Sequence, residues 1–378
     1  MKLNVNQVER LLAIRKEGLN YQLATSTCEG FDIKYMLEIA DKECLEMWEN
    51  LRLGEKNFRA NKQLNEAIAR RNKTMKTENI VKVSPEEGVI MVFATLLKPG
   101  DEVIVMEPTM PSLHEIPRAM GCKVIPWKMD PTEWGWELDT GFLKNTISSK
   151  TKLLVLNFPN NPTGCAPSTG KLQRIAQIAD GVGCWIFSEE SFRGMEHDPA
   201  GISPRMADIY PRAVSLGSIC RIGFSSLRLG WLAAQDKALV SDFLTFKDYT
   251  SPYPNPISEI LGLIFFRNIQ SITLRNKKII EHNFELAEGY FKGNSEIFEW
   301  NPPDAGPTAF PKLNSAYDSD DFCESAMTDA GLVLVPDKMF SVDMNRFRIG
   351  FGRRDFPVAL VNFSNFVDGY IAKTPRSA

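Results

Sequence analysis

A thiol and two guanidinium groups lie close together within the segment Val214–Trp231, VSLGSICRIGFSSLRLGW. Cys220 stands next to Arg221, and Arg228 follows shortly afterwards. A thiolate is a nucleophile, whereas a guanidinium group stays protonated and can bind or stabilise an anion but cannot attack a substrate. Arg221 and Arg228 are therefore candidates to supply positive charge in a site, and Cys220 is a candidate nucleophile.

Two more charged residues follow or interrupt apolar stretches. Ser188 and then Glu189 follow the apolar run Cys184–Phe187, at the end of a predicted strand. The carboxyl ends of parallel strands are where open α/β sheets bind ligands, so Glu189 is a candidate base or ligand-binding residue; the alternative is a solvated strand end. Arg348 interrupts the apolar strand Phe347–Phe351. Because an unpaired buried charge is costly and a guanidinium fits a carboxylate with two hydrogen bonds, we expect Arg348 to bind a carboxylate ligand rather than lie on the surface.

Helical and extended patterns alternate along the chain between these residues. The segment Val81–Pro111 is typical of strand, helix, turn and strand, and Asp130–Glu137 is a polar stretch. Further helices are expected over Val5–Lys16, Asn57–Arg71, Asp139–Lys144, Lys171–Gly181, Leu239–Tyr249 and Ile272–Gly293, and further strands over Glu102–Met106 and Lys152–Asn157.

The start of the helix within Val81–Pro111 has an unusual composition. Ser84, Pro85, Glu86 and Glu87 fit a capping box with proline at the first helical position. Such a helix satisfies its own N-terminal N–H groups. Proline has no N–H to donate, and Glu86 adds a negative charge, so this helix end is predicted to be poor at binding phosphate.

Length and composition restrict the class of protein. The chain has 378 residues, which favours two domains. A formal net charge of −3 gives no reason to expect nucleic acid or an anionic membrane as a partner. The 7 cysteines form no C-x-x-C pair, and His114, His197 and His282 have no zinc-ligand spacing. We expect reduced thiols, no metal, and a cytoplasmic protein.

Three motifs together resemble a known family. The segment Val214–Trp231, the loop Asn157–Gly164 (NFPNNPTG) and the strand Phe347–Phe351 (FRIGF) resemble the class I/II aminotransferases, which are pyridoxal phosphate (PLP) proteins of fold type I. The sequences of the Asn157–Gly164 loop, of Lys247–Tyr249 and of Thr308–Pro311 look most like the capreomycidine synthase branch, which acts on an arginine-derived amino acid. The resemblance covers nearly the whole chain.

The resemblance implies a fold and a domain division. It implies a large domain in three α/β/α layers around a mostly parallel, seven-stranded sheet, and a small α+β domain. Residues 1–50 would form an N-terminal arm and part of the small domain, 51–285 the large domain, and 286–378 the C-terminal small domain. The family also implies a homodimer.

The resemblance further implies cofactor contacts, and several of them are changed here. The family's lysine, which holds PLP as a Schiff base, is missing, and the segment is one residue short: counting from Gly217 places Arg221 there, and counting back from Arg228 places Cys220 there. Met110 stands where the family has the aromatic ring that stacks on the cofactor. Phe192 stands where the family has a tyrosine that touches the phenolic oxygen, and Glu189 stands where it has the aspartate that pairs with the pyridinium nitrogen. The remaining family positions are the phosphate cup at Ser84–Glu86, the phosphate contact Arg228, the phenolic oxygen contact Asn161 and the carboxylate contact Arg348.

Three hypotheses about function remain open on these residues. In the first, the protein binds an α-amino acid or a derived carboxylate through Arg348 and Asn161, and performs altered chemistry without PLP, with Cys220, Arg221 or Glu189 taking part. In the second, PLP binds non-covalently, through Asn161, Glu189 and Arg228. In the third, the protein is a non-catalytic binding subunit. We also expect Arg228 to pair with Glu86 if the phosphate cup has become acidic.

Overall fold

The computed structural model describes residues 2–13, 23–53, 62–198 and 201–373. Its main feature is a large sheet, in which strands follow the order β1-β8-β7-β6-β5-β2-β3-β4. The strands of this sheet are β1 (Ile80–Val83), β2 (Glu102–Glu107), β3 (Lys123–Thr132), β4 (Gly135–Leu138), β5 (Thr151–Asn157), β6 (Trp185–Glu189), β7 (Ala213–Ser218) and β8 (Gly230–Ala234).

The sheet is mainly parallel. Strands β3, β2, β5, β6 and β7 pair in parallel. Strand β8 runs antiparallel to both of its neighbours, β7 and β1, which restores the common direction at β1. The carboxyl ends of the parallel strands β2, β3, β5, β6 and β7 consequently meet at one edge of the sheet, which is the edge where the candidate site lies.

Helices cover both faces of the sheet. They are α1 (Gln7–Leu12), α2 (Ile33–Glu38), α3 (Lys42–Glu49), α4 (Lys62–Ala69), α5 (Pro85–Leu96), α6 (Ser112–Ala119), α7 (Thr140–Thr146), α8 (Thr169–Asp180), α9 (Met206–Ile209), α10 (Lys237–Lys247), α11 (Pro256–Arg267), α12 (Ile269–Gly293), α13 (Ser319–Ala330) and α14 (Phe356–Lys373). Alternate side chains of β2 enter different cores: Val103 and Val105 pack with α5, α6 and α10, and Ile104 and Met106 with α4, α8 and α11. This is the predicted three-layer α/β/α arrangement.

A separate hydrophobic core lies towards the C-terminus. It is built on α12, α13 and α14 and on the short strands β9 (Phe298–Glu299), β10 (Thr308–Ala309), β11 (Lys312–Leu313), β12 (Val335–Pro336) and β13 (Phe347–Gly350). Aromatic side chains dominate it, with Phe291, Phe298, Phe347 and Phe363 in mutual ring contact. The expected domain boundary at residue 285 falls inside α12, and the proposed division of the chain stays a prediction.

The expected elements lie close to their predicted places. One difference is β4, which adds an eighth strand to the expected seven within the stretch interpreted as polar. It forms because β3 runs past the sheet and folds back antiparallel, which buries Trp136 and Leu138. The predicted helices over Val5–Lys16 and Asn57–Arg71 are seen only as α1 and α4, since residues 14–22 and 54–61 lie outside the described residues.

No single described helix is both long and apolar enough to cross a membrane; α11 and α12 meet the length and composition criteria only as a pair bent by 80°. All 7 cysteines are buried and free of disulfide bonds. In the described ranges, no group of three or more His, Cys, Asp or Glu side chains could hold a metal ion.

The N-terminus of α5 carries the capping box that the sequence predicts. The Ser84 hydroxyl accepts from the Glu87 N–H at 3.4 Å, and the Glu87 carboxylate accepts from the Ser84 N–H at 3.2 Å. Pro85 occupies the first helical position. The helix end thus uses its own side chains to satisfy the backbone donors that would otherwise be available to a ligand.

Replacing the cap should weaken the fold measurably. We expect Ser84→Ala to lower the free energy of unfolding by about 1 kcal/mol, the usual cost of losing an N-cap hydroxyl. Urea denaturation followed by circular dichroism measures this. Ser241→Ala, an exposed serine inside α10, is the matched control and should change stability little. Equal stability of the two variants would contradict the capping role.

Candidate functional site

A cleft of about 420 Å³ opens at the carboxyl edge of the sheet. Residues that follow parallel strands form its floor: Met110 after β2, Asn161 after β5, Glu189 at the end of β6, and Ser218 at the end of β7. The start of α5 forms one wall. The N-terminal part of the chain contributes Asn6, Glu9, Leu12, Thr25, Ser26 and Thr27 to the opposite side.

The segment Val214–Trp231 forms β7, two short 3-10 turns and the start of β8. Cys220 and Arg221 lie in the first turn, and both line the cleft. The turn is tight because Gly223 adopts a φ of 105°, and a Cβ there would lie 2.5 Å from the Glu29 carbonyl oxygen. The structure thus brings both candidates for the lysine position to the same cleft.

Cys220 and Arg221 differ in what they offer a ligand. Only 5% of Cys220 is exposed, and its backbone N–H donates to the Ser218 hydroxyl at 2.9 Å. The Arg221 guanidinium donates to the Ser26 hydroxyl at 2.9 Å and forms no ion pair with a carboxylate of the described residues. Arg221 is therefore a cation that can accept a ligand's negative charge, whereas the Cys220 thiol is poorly placed for attack.

Arg228 forms an ion pair with Glu86 across the mouth of the cleft. This pairing is the one expected from the sequence. Its consequence is that a carboxylate of the protein lies at the first turn of α5, where the helix dipole favours negative charge. Both side chains keep substantial exposure, 47% for Arg228 and 64% for Glu86, so the pair contributes only about 0.2–1 kcal/mol to stability. The pair matters for the charge of the site rather than for the fold.

Glu189 is held by its neighbours at the end of β6. Its carboxylate accepts from the Ser191 N–H at 3.0 Å, from the Ser191 hydroxyl, and from the Asn157 side-chain amide at 2.6 Å. Burial raises the pKa of Glu189, and the Ser191 hydrogen bonds and the nearby Arg221 charge oppose that increase. A carboxyl group whose pKa is raised towards neutral pH is suited to exchanging a proton with a ligand.

Arg348 lies behind the cleft wall and is fully buried. Its guanidinium donates to the Ala24 carbonyl oxygen from Nε at 3.1 Å and from Nη2 at 2.6 Å, and to Asn161 Oδ1 from Nη1 at 3.0 Å. Burial lowers the pKa of Arg348, and the positive charge of Arg221 adds to the effect. The expected carboxylate contact is thus taken by a backbone carbonyl, and Arg348 reaches the cleft only through Asn161.

The structure places nearly all the predicted site residues at this cleft. Asn161, Glu189, Cys220, Arg221 and Arg228 line it, as do Met110, Phe192, Pro85 and Glu86, and Arg348 lies one residue behind. Sequence reasoning missed Asn6, Glu9 and Ser26, because nothing in their local pattern indicates a site. Their only signal was the resemblance of residues 1–50 to the family's N-terminal arm.

Comparison with known proteins agrees with this architecture. The model of the aminotransferase class I and II family matches residues 52–355. The chain belongs to this family. Similar relatives include capreomycidine synthase of Streptomyces vinaceus, 29% identical over 70% of this chain and 67% of that protein, and a probable N-acetyl-LL-diaminopimelate aminotransferase of Bacillus subtilis, 26% identical over 71% and 68%.

Solved structures show the same fold. A PLP-dependent aminotransferase from Streptococcus suis superposes with a TM-score of 0.90 at 22% identity, covering 100% of both chains. The PLP-dependent cyclase OrfR gives a TM-score of 0.88 at 21% identity, covering 98% of each chain. At these identities the likeness establishes the fold of this family member and nothing finer.

The residues of this aminotransferase-family cleft do not fit PLP well. At the end of α5 that would hold the phosphate, Pro85 has no N–H, the Glu87 N–H is taken by Ser84, and Glu86 adds a carboxylate. No lysine is present among the described residues that line the cleft. Met110 has no ring with which to stack. A phosphate ester would have to displace or lie beside the Glu86 charge.

The raised pKa of Glu189 predicts how stability depends on pH. Because the folded state favours the protonated Glu189 carboxyl, this group stabilises the fold at pH values below the ordinary glutamate pKa. That stabilisation is lost as pH rises through the raised pKa that Glu189 has in the folded state. Glu189→Gln removes this loss. We therefore expect the unfolding free energy of the variant, relative to the native protein, to increase as pH rises from about 4 towards 7. Urea denaturation across that range measures it.

Glu285→Gln provides a matched control, because Glu285 is an exposed glutamate on α12. It should show almost no pH-dependent difference. A decrease in the relative stability of Glu189→Gln with rising pH would mean that the hydrogen bonds and the Arg221 charge outweigh burial.

Proposed function

We propose that this aminotransferase-family protein binds an α-amino acid, or a carboxylate derived from one, in the cleft and acts on it without PLP. The observation that carries the proposal is the charge arrangement: Glu86 neutralises Arg228 at the family's phosphate position, while Arg221 faces the cleft without a carboxylate partner among the described residues. The ligand then supplies the negatively charged partner of Arg221.

The roles of the individual residues follow from their surroundings. Arg221 binds the ligand's carboxylate through charge-assisted hydrogen bonds. Glu189 lies in the same cleft and exchanges a proton with the ligand, since burial raises its pKa. Asn161 orients the ligand, and Arg348 acts through Asn161 as a positioning residue. Cys220 is a weaker candidate for nucleophile because its side chain is buried.

A non-catalytic binding subunit is the second candidate function. One observation favours it: the guanidinium of Arg348 is fully buried and directs its hydrogen bonds to Ala24 and Asn161 rather than to the cleft. A protein that no longer captures substrate in the family's manner has no need of a free guanidinium there.

In either case we extend the proposal to a homodimer, for which exposed Tyr249 and Tyr253 offer contact surface.

Incubation with PLP tests the cofactor part of the proposal. We expect the purified protein to show no stoichiometric visible absorbance after PLP is added and removed, and no mass increase after borohydride reduction. Arg221→Lys alone should bind PLP poorly, because Glu86 still carries its charge. Arg221→Lys combined with Glu86→Gly should bind it better.

The same experiment separates the alternatives. One equivalent of absorbance in the native protein, without borohydride-stable mass, would establish non-covalent PLP and overturn this part of the proposal. Modification of surface lysines is recognised by peptide mapping and does not count as occupancy of the cleft.

Calorimetric titration with L-arginine, L-aspartate and glycine tests the ligand part. We expect at least one of them to bind the native protein, and Arg221→Gln to weaken that binding by about tenfold or more, because a hydrogen bond to a charged group contributes about 1.5–3 kcal/mol. Arg174→Gln, an exposed arginine on α8, is the control and should bind as the native protein does. If none of these ligands binds, or Arg221→Gln binds equally well, the proposed cleft ligand is wrong.

A further inference from the structure

A second cavity, of about 230 Å³, lies on the other side of the Val214–Trp231 segment. Gly217, Ile219 and Ile222 line this rear cavity, whereas Cys220 and Arg221 line the cleft, and Ser218 touches both. The corner between α11 and α12 and the loop that follows β6 close the rear cavity. The two cavities are therefore separated by a single layer of chain.

The rear cavity is strongly basic. Arg71, Arg193, Arg205 and Lys277 line it, and Glu190 is the one carboxylate among its described lining residues. That carboxylate is already in use: it accepts from Arg205 Nη1 at 2.9 Å, from the Met206 N–H at 3.0 Å and from the Ser215 hydroxyl at 2.7 Å. One carboxylate facing four cations leaves an excess of positive charge around a concave space.

Arg205 is the most constrained of these cations. It is only 7% exposed, and its Nε–H has no acceptor among the described residues. Its guanidinium carbon lies 5.8 Å from the centre of the Trp231 ring, whose buried Nε1–H also has no acceptor there. Burial lowers the pKa of Arg205, and the positive charge of Arg193 contributes. Glu190 already pairs with Arg205, so the remaining cost is that of the two buried N–H donors without acceptors and of the neighbouring Arg193 charge, which an incoming anion would offset.

Aromatic side chains line the remainder of the rear cavity. Trp231 and Phe266 have ring centres 5.6 Å apart, and Phe265 and Phe266 have ring centres 5.0 Å apart. Ile269 extends the apolar surface along α12. A ligand for this space would combine anionic oxygens at one end with a flat or apolar body at the other.

We propose that the rear cavity is a second ligand site, which binds a small organic anion through Arg193, Arg205 and Lys277 and packs its apolar part against Trp231 and Phe266. The anionic group is a carboxylate or a phosphate ester, since both match guanidinium geometry. The site is distinct from the cleft and does not depend on the function proposed for the cleft.

Titration with benzoate, phenyl phosphate and inorganic phosphate tests the site. We expect benzoate or phenyl phosphate to bind the native protein with a stoichiometry of one per chain, and more tightly than inorganic phosphate, which has no apolar body. Higher affinity for benzoate assigns the site to carboxylates, and higher affinity for phenyl phosphate assigns it to phosphate esters.

Substitutions locate the binding. Arg193→Gln and Lys277→Gln should each weaken it about tenfold or more, and neither removes the buried Arg205–Glu190 pair. Lys278→Gln, an exposed lysine next to Lys277, is the matched control. Arg221→Gln reports on the cleft and should leave this binding unchanged.

Two results would overturn the proposal. One is loss of binding in Arg221→Gln with retention in Arg193→Gln and Lys277→Gln, which would place the probe in the cleft. The other is no binding by any of the three probes at millimolar concentration, which would mean that the cavity is closed to free anions, for example by a carboxylate of a second copy of the chain. Circular dichroism confirms that each variant is folded.

Discussion

The ion pair between Glu86 and Arg228 determines how the rest of the cleft can be used. It joins the first turn of α5 to the end of the β7–β8 connection, so that a protein carboxylate lies at the helix end where the family resemblance places a phosphate. The capping box at Ser84 and Glu87 takes the neighbouring backbone donors. Together these contacts complete the helix terminus from within the chain, and Arg221 lies in the same cleft without a carboxylate partner among the described residues.

The β7–β8 connection separates two regions of positive charge. On one side, Arg221 faces the cleft and Glu189 is the nearby acid. On the other side, Arg193, Arg205 and Lys277 line a smaller cavity, and Glu190, the one acid among its described lining residues, is already hydrogen-bonded. A few charged groups beside a concave, partly apolar surface are the usual arrangement of a small-molecule site. Because Ser218 lines both cavities, a ligand in one would contact the same backbone segment as a ligand in the other.

Much of this architecture could be predicted because it depends on local patterns. The capping box needs only Ser84, Pro85 and Glu87 in the right order, and the sheet strands need only short apolar runs between turns. The pairing of Arg228 with Glu86 was predictable because the family resemblance brings the two positions together. Strand β4 was not, since it lies largely within a stretch interpreted as polar and pairs only because β3 extends far enough to meet it.

By itself, the sequence determined the fold class, the order of the elements and the residue types that reach the carboxyl edge of the sheet, because hydrophobic period, caps and turn residues act over a few neighbouring positions. The tertiary structure alone decided that the Ala24 carbonyl holds Arg348, that Ser26 holds Arg221, and that Arg205 and Lys277 share a cavity. These partners lie far apart along the chain. Their contacts depend on how whole helices and strands pack, and local sequence patterns do not specify contacts between residues that are distant in sequence.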